Sequence, residues 1–403
     1  MNIDSSLKTR SDARIRSATR TRLSRALPGW PPGFDPQRRH LIGVLIGEGV
    51  GAEVVPAALQ VLQALATKSS RRFEVRTGGL IGTLAQQAGG RSLSEEVARF
   101  CSEVFDGGGA ILCGPGGGRF VYETRARFGL FCKLSPLRPL PALADAGIVR
   151  PERLAGVDVV AVRENSGGLY FGEWGRECRD GEAETAYHRI SYRAGEVDRI
   201  IEVACRLAQA RRGKVCVTVK PSGVPSISEL WEDRAQEAAR RLDVDLRMLE
   251  IDNAAYQLIA NAGEFDVLAS PNMFGDILAD CGALLLGSRG MSFSGNFGDG
   301  GRAIYQTGHG AAYDISGADV ANPVGQIHAL AMMLRESFDW EQGARLVEDA
   351  VASVFAEGFR TLDVAGPGSR VVGTRELAQR ICRAIEQSAA TDEAPAPGSA
   401  DGR

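Results

Sequence analysis

The sequence predicts an α/β protein with a largely parallel sheet, and two observations carry that expectation. Short apolar runs of strand length alternate with stretches of helical period along most of the chain. The run LIGVLIGEGVGAEVVPAALQVL at 41–62 breaks into glycines between a strand-like and a helix-like half, as a strand feeding a crossover helix would.

In chain order, ILCG (111–114), VDVVAV (157–162), VCVTV (215–219) and FDVLAS (265–270) read as buried strands. A strand covered on both faces needs such near-continuous apolar residues. Stretches 52–66, 196–211, 229–241 and 253–262 read as helices. At 172–195, polar residues alternate with apolar ones, which suits either an exposed hairpin arm for subunit contact or a plain surface excursion. Residues 1–40, rich in arginine and serine and containing Pro28, Pro31, Pro32 and Pro36, are expected to be a disordered or loosely docked extension. The small, polar tail at 388–403 is expected to be disordered too.

With 403 residues and 44% hydrophobic content, the chain can fill two cores. A net charge of -3 supplies no positive field, so neither nucleic acid nor a membrane surface is an expected partner. Eight scattered cysteines without zinc-like spacing read as reduced residues of a cytoplasmic protein. No apolar run reaches transmembrane length.

Several groups could carry chemistry. Asp276 and Asp280 lie four apart at the start of a helical stretch, so both carboxylates share one helix face. Asp252 sits at a strand-to-helix junction, where it is a third oxygen ligand or simply an N-cap. Oxygen ligands without histidine or cysteine suit Mg²⁺ or Mn²⁺ rather than zinc. Lys220 ends a strand, either as a general base with a pKa lowered by burial or as an exposed charge. Arg163 could clamp a carboxylate or pair with Glu164, and Tyr170 could deliver a proton or be an ordinary half-buried tyrosine. His309, Gly310, Ala311, Ala312, Asp314 and Asn322 form a small-residue stretch that a flat ligand could approach, Asp314 accepting ribose hydroxyls. Gly47, Gly49 and Ala52 also satisfy G-x-G-x-x-A, with Glu74 where a dinucleotide unit would place its ribose carboxylate.

The segments GEGVGAEVV, RENSGGLYFG, VTVK, EID, PNMFGDILAD and GHGAAYDISG…NP, in that order over 41 to about 385, resemble the isocitrate and isopropylmalate dehydrogenase family. These are metal-dependent, decarboxylating β-hydroxyacid dehydrogenases. The resemblance implies a two-domain isopropylmalate-dehydrogenase-like fold. In it, 41–130 and 287–387 bind the cofactor, while 131–286 is an inserted substrate, metal and dimerisation domain carrying the arm. It implies that Tyr170 is the general acid, that Lys220 deprotonates the substrate with Asp252, and that Asp252, Asp276 and Asp280 hold Mg²⁺ or Mn²⁺. Arg125 and Arg163 would bind the malate carboxylates, and NAD would lie along His309, Gly310, Ala311, Ala312, Asp314, Ile315 and Asn322. Asp314 favours a free 2′-hydroxyl, hence NAD rather than NADP. In the family, the counterparts of Lys220 and Asp252 reach the neighbouring subunit's site, so a homodimer is expected. On this resemblance Glu74 loses its ribose role, and the Gly47 to Gly51 turn becomes a wall of the cofactor cleft.

The chain also departs from the family pattern. Ser135 stands where a carboxylate-binding arginine is usual, leaving Lys133 or Arg138 to compensate. Pro221 and Ser222 alter the segment after Lys220, and Tyr122 and Glu123 fit neither standard substrate pocket. The expectation is an NAD-dependent oxidative decarboxylation of a 3-substituted malate to a 2-oxo acid, CO₂ and NADH. The substrate would be non-standard: a homoisocitrate-, tartrate- or phosphonomethylmalate-type acid. The alternatives are a non-catalytic regulatory subunit and a Rossmann-type reductase using Gly47 to Ala52.

Overall fold

A computed structural model describes residues 22–31, 40–69, 71–178 and 184–388. Ten strands form one sheet: β1 (His40–Leu45), β2 (Phe73–Thr77), β3 (Ala110–Cys113), β4 (Cys132–Leu137), β5 (Val159–Glu164), β8 (Lys214–Val219), β9 (Asp245–Glu250), β10 (Val267–Ser270), β11 (Phe293–Phe297) and β12 (Ala303–Thr307). Their order is β2-β1-β3-β12-β11-β4-β5-β10-β8-β9. Pairing is parallel except at the centre, where β11 runs antiparallel to β12 and β4, and β4 antiparallel to β5. The β11–β4 pair is also where strands from the 287–387 segment meet strands from 131–286. The expected α/β fold with a mostly parallel sheet is therefore present.

Every strand named in the sequence reading exists, but β5 runs two residues further than expected, to Val159–Glu164, so Arg163 lies inside the strand. β4 (CKLSPL), β9 (DLRMLE) and β11 (FSGNF) carried no legible apolar run, because β4 and β11 bury polar side chains and the edge strand β9 alternates exposed polar residues with apolar ones. The helices Gly51–Ser69, Ala194–Ala210, Pro225–Leu242 and Ile251–Ala260 fall on the expected stretches, each beginning earlier than expected. Pro225 opens the third of these, a position where its fixed φ and missing N–H cost nothing. Within 172–195, β6 (Trp174–Glu177) and β7 (Thr185–His188) pair antiparallel, and nearly all of their residues are exposed.

The N-terminal expectation needs correction. Residues 22–31 are not a disordered stretch: Leu23, Ala26 and Leu27 are buried, and Arg22 forms an ion pair with Asp339 at 2.9 Å. The N–H groups of Leu23 and Ser24 donate to the buried Glu336 carboxylate at 3.1 and 2.7 Å, and the Trp30 ring meets Phe297 edge-on at 5.3 Å. Leucine and tryptophan supplied the apolar area that the polar composition of the segment concealed. The rest of the expected extension, and the tail from 389, lie outside the described residues.

In a parallel sheet the loops that build sites leave the carboxyl edge. Three antiparallel pairings separate β1, β3 and β12 from β5, so the ends of β1, β3 and β12 reach the opposite edge from those of β5, β10, β8 and β9, which share their edge with the start of β4. Residues far apart in sequence are brought there together.

Candidate functional site

The site is built around Arg163 at the end of β5. Its side chain is 3% exposed; Nε and Nη2 donate to Asn272 Oδ1 at 3.0 and 2.9 Å, and Nη1 pairs with Asp276. Asn272 and Asp276 come from the first turns of the helix Asn272–Ala283. That helix sits close because Gly275 has no side chain: a Cβ there would lie 2.9 Å from Arg163 Cβ. The Tyr170 hydroxyl donates to the other oxygen of Asp276 at 3.0 Å. Burial and the adjacent Asp276 carboxylate push the Tyr170 phenol up to about 12, so it keeps its proton at neutral pH. Burial tends to raise Asp276, but Arg163, Lys133 and the tyrosine hydrogen bond hold it below the usual carboxylate range, leaving it ionised.

Two further cations are buried here. Lys133 lies opposite Arg163 on β4 and opposite Asn296 on β11, and is 8% exposed. Arg125, in the helix Phe120–Phe128, is 3% exposed, and its Nε and Nη1 have no hydrogen-bond partner. Burial, reinforced by Arg163 and Arg125, brings Lys133 down to about 7; burial and Arg163 bring Arg125 down to about 9. Three cations facing one carboxylate in a desolvated place are costly unless an anion joins them. The arrangement therefore suits a ligand with more than one carboxylate.

Ser135 is buried two residues beyond Lys133, on the same face of β4. Arg138 is not at the site. It follows the far end of β4, roughly 16 Å from Lys133 at ordinary strand rise, and lies 3.9 Å from Glu348. Only Lys133 is placed to stand in for the absent arginine. Tyr122 turns its ring to Tyr170 at a centroid distance of 5.2 Å. Glu123 instead accepts the Leu93 N–H at 2.9 Å, a structural contact.

Lys220 and Asp252 leave β8 and β9 at the outer side of the sheet, where Lys220 Nζ donates to Glu250 and Asp252 at 2.7 and 2.9 Å. The expected lowered lysine pKa is not found in the single chain. Hydrogen bonds to Glu250 and then Asp252 raise it, since carboxylates rather than apolar surroundings face the ammonium. Asp252 is about 14 Å from the β5 line by strand spacing, and Asp280 pairs with Arg289 at 2.8 Å. Among the described residues of one chain, no three histidine, cysteine, aspartate or glutamate side chains converge to hold a metal. Asp276 and Asp280, one helical turn apart, offer two hard oxygen donors of the kind Mg²⁺ or Mn²⁺ takes, but a single chain does not add Asp252 to them.

The 308–322 loop follows β12 and is gripped by the glycine turn after β1. The Val50 N–H donates to Ala311 O at 2.8 Å, and a Cβ on Gly49 would stand 1.9 Å from that oxygen. Gly49 has φ +55, so the contact and the backbone both require glycine. Glu53 then accepts the N–H groups of Gly317 and Asp319, each at 2.9 Å. Gly310 and Asp314 are exposed, while His309, Ala311, Ala312 and Ile315 are half-buried. Burial lowers the His309 pKa, so its ring is neutral at pH 7. Asn322 is buried: its Oδ1 accepts the Val324 N–H at 3.0 Å and its Nδ2 donates to Asp363 at 3.1 Å, anchoring the loop to the next helix. Glu74 is on β2 and binds Arg76 Nε at 2.8 Å, so the first glycine turn acts on the 308–322 loop and not through Glu74.

Sequence reasoning missed Asn272 and Arg119. Asn272 begins the helix that carries Asp276 and opens the quoted PNMFGDILAD segment. Arg119 begins the helix that carries Arg125, and donates from Nη2 to the Tyr170 carbonyl at 3.2 Å. Both stand at helix starts on the site edge, a positional signal that was available.

A family model described as isocitrate/isopropylmalate dehydrogenase matches residues 41–381. Relatives include the 3-isopropylmalate dehydrogenase of Synechococcus sp. (strain JA-3-3Ab), 38% identical, covering 90% of this chain and 98% of that protein. The 3-isopropylmalate dehydrogenase of Acinetobacter baylyi (strain ATCC 33305 / BD413 / ADP1) is also 38% identical, over 85% of this chain and 98% of its own. Among solved structures, isocitrate dehydrogenase from Methylococcus capsulatus superposes with a TM-score of 0.76 at 28% identity, covering 86% of this chain and all of that one. The chain belongs to the isocitrate/isopropylmalate dehydrogenase family, the decarboxylating dehydrogenases that act on hydroxy acids with NAD and Mg²⁺ or Mn²⁺.

Proposed function

We propose that the protein oxidises and decarboxylates a 3-substituted malate that is neither isocitrate nor 3-isopropylmalate, such as a homoisocitrate-, tartrate- or phosphonomethylmalate-type acid. The observation that carries this is the buried group Arg125, Lys133 and Arg163, with Lys133 and Ser135 in the segment where the family resemblance leads one to expect an arginine. Malate carboxylates would neutralise these cations, Arg125 using the donors that have no partner now. Tyr170, which keeps its proton and donates to Asp276 at 3.0 Å, would give that proton to C3 after CO₂ leaves. Asp276 and Asp280, with Asp252 of a second copy, would hold the divalent ion, which would supply Lewis-acid polarisation of the C2 oxygen, while NAD would supply the hydride acceptor.

We assign removal of the C2 hydroxyl proton to Lys220 with Asp252. Seating this exposed pair in a second copy's cleft would take the lysine out of water and favour its neutral form. The homodimer, the division into a 41–130 plus 287–387 cofactor domain and a 131–286 substrate domain, and a cytoplasmic setting belong to the same proposal. NAD would lie along the 308–322 loop with Asp314 facing its ribose. The test is to incubate the purified protein with NAD, Mg²⁺ or Mn²⁺ and a panel of 3-substituted malates, following NADH and CO₂. Turnover confined to isocitrate or 3-isopropylmalate would refute the substrate reading. NADH without CO₂ would remove the decarboxylation.

A further inference from the structure

Residues 22–31 precede the 41–381 stretch that the family model matches, yet they are folded into the body of the protein. Strand register shows which side of the sheet they cover. Lys133 pairs with Arg163 and with Asn296, so these three side chains share the face that carries the site. Phe293 and Phe297 on β11, Pro136 on β4 and Val160 on β5 stand an odd number of residues from them and point to the other face. Trp30 meets Phe297 edge-on at 5.3 Å. Leu23 borders a cavity of about 180 Å³ whose other walls include Pro136, Val160, Phe293, His328 and Met332. The segment therefore lies behind the site, across the junction where β11 of the 287–387 part pairs with β4 of the 131–286 part.

Its two sides are held differently. Toward 287–387 the contacts are polar and converge on the end of the helix Val324–Glu336. Arg22 Nε and Nη2 donate to the Glu336 carbonyl at 3.1 and 2.6 Å, Trp30 Nε1 donates to the same carbonyl at 3.3 Å, and the N–H groups of Leu23 and Ser24 donate to its carboxylate. Pro31 packs on Gly301, where a Cβ would lie 2.9 Å from Pro31 Cγ. Toward 131–286 the short helical turn Leu23–Ala26 packs on the helix Ala194–Ala210, which also packs on β5 and β10. Leu23, Ala26 and Leu27 are buried in the same core as Val197, Ile200 and Leu207 of that helix.

Directed bonds thus fix the segment to one part of the chain, and apolar contact, which has no preferred direction, presses it on the other. When two domains rock about the β11–β4 junction, the gap behind the sheet changes width as the cleft in front does. A narrower gap drives Leu23 into its walls and a wider one strips its contacts, so the segment favours one width.

We infer that residues 22–31 are an interdomain spacer that limits how far the cofactor and substrate domains rock. It thereby keeps Arg125 of one domain at working distance from Arg163 of the other. The inference rests on the domain division proposed above. The segment acts by position, because its contacts lie behind the sheet, away from substrate and cofactor.

The test is Leu23→Ala/Leu27→Ala in the full-length protein, which removes the apolar press and leaves the Glu336 bonds. Without ligand, amide hydrogen exchange should quicken at least about threefold in peptides covering 132–137 and 293–297 as well as in 22–31. With NAD, Mg²⁺ and the preferred malate, KM for the malate should rise about 3- to 10-fold while kcat stays within about twofold, because fewer molecules present a competent cleft. Leu27→Ala alone should move both readouts the same way by less, and it takes the place of the double variant if that one loses its far-ultraviolet circular dichroism. Faster exchange confined to 22–31, or an unchanged KM, would overturn the inference and leave the segment a passive cap. The exchange arm needs no substrate, so it decides the inference even where no malate is turned over. A wild type in which saturating NAD, Mg²⁺ and malate leave exchange at 132–137 and 293–297 unchanged would instead refute the domain division itself.

Discussion

Replacing Lys133 with methionine should stabilise the ligand-free protein and disable it. Lys133 is 8% exposed, faces Arg163 across β4 and β5, and is brought down from an ordinary 10.5 to about 7 by burial and by Arg163 and Arg125. A difference of that size means the fold disfavours the ammonium by about 5 kcal/mol. Water entry and side-chain relaxation would reduce the realised penalty to about 2–3 kcal/mol. Because the folded pKa is depressed, the native state sheds its proton before the unfolded chain does. Stability of the wild type therefore rises with pH between about 7 and 10.5, and the full penalty applies below that window. Methionine has nearly the same length and no charge, so Lys133→Met should gain most of that 2–3 kcal/mol at pH 7, and its advantage should shrink as pH rises toward 10.5. Urea unfolding of both proteins at several pH values, without ligand, measures the gap. Turnover assays on the same samples should show KM for the preferred malate raised by at least about 10-fold. A variant less stable than the wild type at pH 7, or a gap that does not change with pH, would refute the account of Lys133 as a strained anion-binding cation.

Three other outcomes are expected. Tyr170→Phe removes the hydroxyl that donates to Asp276 at 3.0 Å, and kcat should fall by about 10²- to 10⁴-fold in steady-state NADH assays with far-ultraviolet circular dichroism unchanged. Gly49→Ala sets a Cβ 1.9 Å from Ala311 O on a backbone with φ +55, so the 308–322 loop must shift and KM for NAD should rise more than KM for the malate. Glu336→Ala strips the buried N–H groups of Leu23 and Ser24 of their acceptor and should cost about 1–3 kcal/mol in urea unfolding, with proteolysis near residues 22–31 increased.

Much of this architecture could be read from the chain before folding. The strands around Val160, Val217 and Leu268 announced themselves because burial on both faces forces continuous apolar runs. β4 and β11 did not, because buried lysine, serine and asparagine side chains interrupt their apolar residues, so the pattern that marks a buried strand is erased. The ordered segment 22–31 escaped notice for a related reason: few apolar residues hold it, and the partner of its backbone is a glutamate more than 300 residues away.

The sequence alone determined the α/β class and the family, and it singled out Tyr170, Arg163 and Asp276 as candidates, because each lies in a local segment whose order along the chain carries the signal. Only the tertiary structure set Lys133 and Arg138 apart. The two residues are close in sequence, but β4 runs against its neighbour, placing Lys133 beside Arg163 at the carboxyl edge and Arg138 at the opposite edge with Glu348. It also made the glycine turn a clamp on the 308–322 loop through Val50 and Glu53. Sequence spacing measures distance along one strand, and strand direction and partner order, which emerge only when the sheet closes, decide what meets across it.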